Sequence, residues 1–396
     1  MKKLIITVIT ALLVLLMGTY VVGEVLKNEV QKTISMHQSP EFQLELVHYQ
    51  KSFLTAQAQV KVVLPMEGEK PLHFLVDADI HHYPYKASVV YHLTLLDADV
   101  AEKVDTFFQR KDWIQSHGEI SLLGQITGEI KLVKGAYGNE TELFNSEPAT
   151  LRYHYNLIDQ STQLTLNWAG FNGKTEATLF DAKKMNVDYH FVRINDSDVV
   201  DYQYNAHIDE LNVKTLETSI AMKSLDLIGE SNVSEDLLTL STHNNWKVKE
   251  YLKDDQRYID NHLDLLLSDL NIAVLTAKHD EPKKALQELF KRGLTINLNN
   301  LDSSTPWGKV NGKLNMQIQP GLILTQVAHN PFLLIDYVNG DLTLTLPQNL
   351  SQQADVGEAI RIGTMSGVLK PDGEQLTVQS TLDRGELSIN GQVIPL

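Results

Sequence analysis

Alternation of apolar and polar residues with a period of two runs through most of this chain of 396 residues. Phe42, Leu44 and Leu46 give the first example, and their neighbours are mainly polar. Successive side chains of a strand point to opposite faces of a sheet, so this pattern predicts strands with one buried face. It recurs in the segments 72–78, 89–95, 120–132, 151–157, 185–192, 294–298, 314–318 and 342–346. These segments predict a long antiparallel meander.

Helical spacing interrupts the alternation in a few places. Asp99-x-x-Glu102 has the form of a capping box and predicts a short helix after it. The longest helix is predicted within residues 254–278, and another from Pro282 to Gly293, which together make a helical hairpin. A further short helix is predicted over residues 351–359. The stripe that predicts the longest helix consists of Ile259, Leu263, Leu266, Leu270 and Val274.

The predicted fold class is α+β. It is β-rich, with long antiparallel meandering sheets and a helical hairpin, preceded by one N-terminal transmembrane helix. The predicted domains are a membrane anchor at residues 4–23, a β-rich domain at 40–230, and a helical hairpin with a C-terminal antiparallel β domain at 254–396. Polar residues interrupt the strand pattern between 230 and 253, where the two domains are expected to meet.

An uncharged, mostly apolar run from Leu4 to Gly23 follows Lys2 and Lys3. Twenty helical residues that rise about 1.5 Å each can cross a hydrocarbon core roughly 30 Å thick. The run therefore predicts a membrane anchor. Its apolar contacts with lipid are expected from Leu4, Ile5, Leu12, Leu13, Leu15, Leu16, Val21 and Val22.

A cleavable signal peptide is the alternative interpretation of this run. Signal peptides carry a shorter apolar region of about 7 to 15 residues and end in a small-x-small site. The best cleavage candidate here, Val21-Val22-Gly23, is a weak one, which favours a retained anchor. With Lys2 and Lys3 on the short side, the positive-inside rule places the N-terminus in the cytoplasm and sends the body into the periplasm of a bacterium.

Composition narrows the classes of function. The sequence contains no cysteine, which excludes thiol nucleophiles, disulfides and Cys-zinc sites. A net charge of −16 argues against nucleic acid as a partner, because phosphate contacts need a basic face. No cofactor-binding motif is present, and neither Gly-x-Ser-x-Gly nor Ser-x-x-Lys occurs. No catalytic, cofactor or metal residue is therefore assigned.

Two kinds of side-chain cluster suggest chemistry, but structural roles explain them better. His81, His82 and His92 suggest a metal site, but adjacent residues on a strand point to opposite faces, so a turn with a hydrogen-bonded His82 is the preferred interpretation. Close carboxylate pairs suggest a glycosidase-like hydrolase, which needs two carboxylates about 5 to 10 Å apart across a cleft. A solvated face is the preferred interpretation of these pairs, which are Asp77 and Asp79, Asp97 and Asp99, Asp196 and Asp198, and Asp254 and Asp255.

The order of several short motifs resembles that of the YdgA-like proteins of Gram-negative bacteria, a family classed as domain of unknown function number 945. After the anchor come Tyr49-Gln50-Lys51-Ser52-Phe53, then His82-Tyr83-Pro84, then the region 254–292, and finally Asn390-Gly391-Gln392. Lys51-Ser52 stands where the family usually has Arg-Gly, and Tyr83 stands in place of Gly. The motif positions Tyr49, Lys51, Phe53, His82, Pro84, Asn390, Gly391 and Gln392 have no known role in the family. The resemblance implies an inner-membrane protein with a periplasmic body.

Three hypotheses of function remain at this level. The first is a non-catalytic, membrane-tethered periplasmic protein that acts as an envelope scaffold or interaction partner. The second is a carrier of lipid or another hydrophobic ligand, with an apolar groove on a curved sheet. The third is an envelope hydrolase with paired carboxylates. An apolar sheet face left uncovered by helices would favour the carrier, and a filled interior would favour the scaffold.

Overall fold

The computed structural model describes residues 43–66, 70–194, 199–276, 282–330, 333–353 and 356–394. The predicted anchor at residues 4–23 lies outside these ranges. In the described part, no helix has the length and apolar character needed to cross a membrane. Two compact units are present: the described residues up to Ala177 with Lys184–Asp188, and Thr178–Lys183 with the described residues from Tyr189 onward.

The first unit is an antiparallel sheet in which most strands pair with their neighbours in sequence. Pairing runs β1–β2–β3–β4–β5–β6–β9–β10, and β7 pairs with β8, which also pairs with β10. A helix, α1, follows β4. The elements are β1 Gln43–Lys51, β2 Thr55–Leu64, β3 Leu72–His82, β4 Lys86–Leu95, α1 Ala98–Phe108, β5 Ile114–Ser121, β6 Gln125–Leu132, β7 Gly135–Gly138, β8 Leu143–Ser146, β9 Ala149–Asn156 and β10 Ser161–Lys174.

The second unit repeats this sequential pairing with longer strands. The strand β11, Leu179–Arg193, contributes residues to both units. Pairing then runs β12 to β18 in order and continues through β20, β21 and β22, and β19 pairs with the start of β20. The strands are β12 Val200–Lys214, β13 Ser219–Val233, β14 Thr239–Lys253, β15 Gln256–Asn271, β16 Leu294–Thr305, β17 Gly308–Ile318, β18 Val338–Pro347, β19 Lys370–Asp372, β20 Gln375–Asp383, β21 Glu386–Ile389 and β22 Gln392–Ile394.

Short helices cover parts of the second sheet. They are α2 Ile272–Thr276, α3 Pro282–Arg292, α4 Leu324–His329, α5 Leu334–Tyr337, a 3-10 turn Gln348–Gln352 and α6 Gly357–Met365. Leu289 and Phe290 of α3 and Leu324 and Val327 of α4 pack on one buried cluster around Ile318. Ile360 of α6 belongs to a separate cluster. Fully buried apolar side chains of the second sheet are thus concentrated beneath its helices.

The long helix predicted within residues 254–278 is wrong. Residues 256–271 form the strand β15, and only Ile272–Thr276 is helical. Asp260 and Asp269 have φ values of 51° and 63° inside or near the end of this strand. Such residues interrupt the alternation, so leucines fall on both sides of each irregularity and imitate a helical stripe. The predicted helical hairpin is therefore reduced to the short α2 and the eleven-residue α3.

Two of the other predicted helices are confirmed in place but differ in detail. Helix α1 is present, but its N-cap is Asp97 and no side chain caps it, so the capping box at Asp99 is not formed. The Asp97 carboxylate instead accepts a hydrogen bond from the His73 backbone N–H at 2.9 Å. Helix α3 begins at Pro282 and is followed by Gly293 at φ 86°, as its end signals predicted.

The region predicted as a short helix over 351–359 is divided between two elements. It contains the end of the 3-10 turn and the beginning of α6. Residues 230–253, where the sequence predicted a domain junction, consist of the end of β13, a turn and β14, and these strands pair within the second unit.

A line of irregular positions crosses the second sheet. Ser224 in β13 has φ 50° and Asp260 in β15 has φ 51°. The ladder between β12 and β13 omits Asp209 and Ser224. The ladder between β13 and β14 omits Ser224 and Lys249, and the ladder between β14 and β15 omits Lys249 and Asp260. In these three ladders the pairing register is the same on both sides of the line. The apolar side chains therefore change face as each strand crosses it.

This geometry makes Ser224 sensitive to β-branching. A left-handed backbone costs an L-residue about 1–2 kcal/mol, and a branched Cβ makes it worse. We expect Ser224→Val to lower the free energy of unfolding by about 1–2 kcal/mol and Ser224→Gly to preserve or raise it. Urea denaturation measures both. Thr343→Val, in a regular exposed part of β18, is the control and should be near neutral; an equal loss there would contradict the explanation.

Candidate functional site

Rows of leucines cross one face of the second sheet. Directly paired residues lie on the same face, so the pairing registers of the strands define these rows. One row joins Leu227 and Leu263 through Trp246 and continues to Leu301; a second joins Leu265, Leu298 and Leu314. We call this surface the leucine face; it comprises Leu225, Leu227, Leu263, Leu265, Leu298, Leu301 and Leu314.

The leucine face is only partly shielded from water. All seven of its leucines are half-buried, although they lie on the central strands β13 to β17. Trp246, within the first row, leaves 42% of its surface exposed. The fully buried positions of this sheet, such as Leu294 and Leu376, belong to the clusters beneath the helices. A contiguous apolar surface that remains partly exposed is typical of a binding site.

Aromatic side chains border the leucine face on β12 and β14. The Tyr204 ring lies over Gly229, where an added Cβ would stand only 2.2 Å from a ring carbon. The Trp246 indole N–H donates to the Tyr204 hydroxyl at 3.1 Å, and that hydroxyl donates to Asn244 Oδ1 at 3.0 Å. Because the polar atoms of Trp246 and Tyr204 are hydrogen-bonded in this way, the two aromatic side chains present mainly carbon surface.

The opposite face of the same sheet is polar and internally paired. The His207 imidazole contacts Asp226 at 2.6 Å and Asp209 at 2.7 Å, and these two hydrogen bonds raise its pKa. His243 bonds to Asp264 at 2.9 Å, which raises the pKa of that imidazole as well. The sheet is therefore amphipathic, with its charges compensated on the face away from the leucines.

The first sheet is amphipathic in the same manner. Val60 pairs with Val76, which pairs with Leu93, and farther along the sheet Leu151 pairs with Leu166. All five are half-buried. A small buried cluster occupies one end of this face and contains Ala56, Ala58, Ile80, Ala87 and Val89.

The structure brings two of the motifs singled out in the sequence together. Residues 49–53 form the end of β1 and the turn into β2, and the His82 backbone N–H donates to the Leu54 carbonyl of that turn at 2.7 Å. The His82 side chain is 3% exposed, and neither of its ring nitrogens has a hydrogen-bond partner among the described residues. At the turn predicted around His82, its backbone N–H is the group that forms this hydrogen bond. Burial lowers the pKa of His82, which favours the neutral ring.

The other residues of these two motifs surround the corner. Tyr49 packs on the buried cluster of the first sheet. Lys51 ends β1, and Phe53 remains 45% exposed in the turn. Pro84 lies in the turn between β3 and β4, where the Tyr83 N–H donates to the Lys86 carbonyl at 2.8 Å.

The motif Asn390-Gly391-Gln392 closes the last hairpin. Asn390 and Gly391 have φ values of 52° and 79°, as a tight hairpin turn requires. Asn390 Oδ1 accepts the Gln379 N–H at 3.0 Å, and Asn390 Nδ2 donates to the Val368 carbonyl at 3.0 Å. Its position in the turn and its hydrogen bonds explain this motif by folding alone.

The carboxylate pairs occupy several different surroundings. Asp77 and Asp79 share the polar face of the first sheet, where Gln59 and Gln57 on β2 donate to them at 2.6 and 3.0 Å. Asp254 accepts the Ser219 N–H at 2.8 Å and holds a turn. Asp196 and Asp198 lie outside the described residues.

The histidines considered as metal ligands are likewise separated. His81 is exposed and His82 is buried, on opposite faces of β3. His92 approaches Asp79 at 3.9 Å on the polar face. Within the described ranges, no group of three or more His, Asp or Glu side chains is arranged to hold a metal ion.

A family model described as a bacterial protein of unknown function, DUF945, matches residues 1–396. The chain belongs to the DUF945 family. This confirms the resemblance drawn from the order of the motifs. No match was found among curated proteins or among solved structures.

Sequence reasoning missed the leucine face of this DUF945 protein because it assigned residues 254–278 to a helix. Leu263, Leu265 and Leu267 recur at every second position of that segment, although Leu266 lies between the last two, and this recurrence could have indicated β15.

The buried imidazole of His82 predicts a specific dependence of stability on pH. Its folded-state pKa lies below the ordinary 6.5, so the unfolded chain takes up a proton first as the pH falls. The stability contributed by the neutral ring is present above pH 6.5 and is lost as the pH falls from there towards the lowered value. We therefore expect the free energy of unfolding of His82→Leu, measured relative to wild type, to be higher at pH 5.5 than at pH 7.5.

Urea unfolding of the full chain in detergent at both pH values measures this difference. The raised pKa values of His207 and His243 act in the opposite direction, but they are common to both proteins and cancel in the comparison. His81→Gln, at the exposed neighbouring position, controls for removal of an imidazole. An unchanged difference for His82→Leu between the two pH values would disprove the buried neutral state.

Proposed function

We propose that this DUF945 protein is a non-catalytic, membrane-tethered periplasmic protein that binds the acyl chains of a lipid-like ligand on its leucine face. The observation that carries this proposal is the incomplete burial of contiguous leucines on β13 to β17. In water such a surface favours an apolar ligand, because burial contributes about 25 cal/mol per Å² of apolar area. No cofactor takes part.

The dimensions of the leucine face suit a hydrocarbon chain. Its longer row, from Leu227 to Leu301, crosses the four strands β13 to β16, and three spacings of about 4.8 Å give roughly 14 Å. One leaflet of a bilayer core is roughly 15 Å thick, which is the depth that one acyl chain fills. A chain laid along the longer row would therefore contact three leucines and Trp246 over most of its length.

Envelope proteins are the alternative occupants of this surface. A protein scaffold would cover the same leucines with its own apolar side chains, and its interface would bury about 800 Å² on each partner. The lipid is preferred because the Tyr204 hydroxyl bonds to the Trp246 indole and to Asn244, which leaves few hydrogen-bonding groups beside these leucines for a polypeptide.

Substitutions on the two faces of the sheet test the binding proposal. We expect the full chain, purified in detergent, to be labelled by a diazirine derivative of palmitic acid, with the modified peptides in β13 to β17. Leu265→Thr with Leu298→Thr should reduce this labelling at least about fivefold, because two apolar contacts of about 1 kcal/mol each are lost while strand propensity is kept.

Ile228→Thr is the matched control, because Ile228 is 46% exposed and lies on the polar face of β13. Equal labelling of the double variant and the control, or labelled peptides from the polar face, would refute acyl-chain binding. Reproducible cross-linking of one envelope protein through the leucine face, with no lipid recovered, would support the scaffold instead.

The proposed location rests on the sequence from Lys2 to Gly23. We expect the mature protein to retain residues 4–23, with its N-terminus in the cytoplasm and its body in the periplasm of a Gram-negative bacterium. Intact-mass measurement of the membrane-extracted protein checks retention. A C-terminal alkaline phosphatase fusion should be active, whereas a mature mass that begins near Glu24 would indicate a cleaved signal.

A further inference from the structure

A cavity of about 800 Å³ lies in the first unit, beside helix α1 and the hairpin of β7 and β8. It is separate from the leucine face, which belongs to the second unit. Its lining combines four aromatic rings with charged side chains and one threonine. These residues are Phe107, Tyr137, Phe144, Phe171, Asp99, Glu102, Glu142, Lys103 and Thr106.

The aromatic part of the cavity is held in place by close contacts with glycines. A Cβ added to Gly135 would stand 2.2 Å from a ring carbon of Phe107, so that ring rests directly on the β7 backbone. Phe144 similarly approaches Gly173, with 3.0 Å to an added Cβ. Phe107 also packs edge-to-face on Phe108, with ring centroids 4.8 Å apart. These rings form a wall that needs little rearrangement to meet a ligand.

The charged part of the cavity carries an uncompensated negative charge. Asp99, Glu102 and Glu142 contribute three carboxylates against the single ammonium of Lys103. Glu102 and Lys103 follow Asp99 by three and four residues, so both neighbour Asp99 on one side of α1. No ion pair joins any of the three carboxylates to another described residue, whereas Glu129 and Glu250 elsewhere are each bonded to two cations.

We propose that this cavity binds an organic cation, an alkyl-substituted ammonium group. The faces of aromatic rings carry negative potential and attract such cations, and contacts of this kind contribute about 0.5–1 kcal/mol at exposed sites and about 2 when water is excluded. The three carboxylates supply the compensating charge, and the alkyl substituents replace water on the phenyl rings. The net negative charge of the lining would repel an anion. A bare metal ion would lack ligand atoms on the side of the aromatic rings.

Choline and 3,3-dimethylbutan-1-ol test the role of charge directly, because they share one shape and differ in the positive charge of the quaternary nitrogen. Saturation-transfer NMR titration of the full chain in maltoside micelles measures both. We expect choline to bind at least about tenfold more tightly than the neutral alcohol, with an affinity that falls as salt is added. Equal affinity for the two compounds, or no binding of choline, would overturn the proposal.

Variants locate the binding. Glu102→Gln with Glu142→Gln keeps the shape and should weaken choline binding at least about fivefold. Phe171→Leu, which leaves every charge in place, should weaken it as well. Glu217→Gln, at an exposed turn of the second unit, is the control and should bind choline like wild type. Circular dichroism confirms the fold of each variant. Unchanged binding in both the double Gln variant and Phe171→Leu would exclude this cavity as the site.

Discussion

The structure depends on hydrogen bonding between strands that are neighbours in the sequence. The long strands of the second unit pair in sequence order from β12 to β18. This pairing satisfies the backbone polar groups before any side chain is considered. Since directly paired residues lie on one face, the apolar residues of neighbouring strands line up in rows, and the leucine face consists of such rows.

The two faces of each sheet are stabilised in different ways. On the polar face of the second sheet, histidines and carboxylates bond to one another, as in the contacts of His207 with Asp226 and of His243 with Asp264. On the central strands, the leucines of the apolar face cannot bond to one another in this way. Helices cover it around Ile318 and Leu376, and between these clusters Leu265 and Leu298 remain half-buried. The backbone hydrogen bonds are satisfied there, whereas the leucine side chains would lose further contact with water if an apolar partner covered them.

The alternation of residues was sufficient to predict a β-rich antiparallel fold, and end signals were sufficient for α3. It failed in β15, because left-handed residues at Asp260 and Asp269 shift the phase of the alternation in a way that no local propensity announces. The meeting of the turn after Tyr49 with His82 is a tertiary contact, and its partners lie about thirty residues apart in the sequence. The leucine face could be predicted only after β15 was recognised as a strand. The cavity beside α1 depends on glycines that admit aromatic rings, which the sequence presents as ordinary strand residues.

Sequential pairing also has a consequence for how the chain reaches its folded state. A hairpin requires only the closure of a short turn, so each new strand can join the sheet as soon as it follows its predecessor, at a small entropic cost. A polypeptide that emerges from a translocation channel from one end could thus extend its sheet strand by strand, without waiting for distant segments to arrive. In such a process the most recent strand always offers an open edge, and the next segment of the same chain is the one nearest to close it.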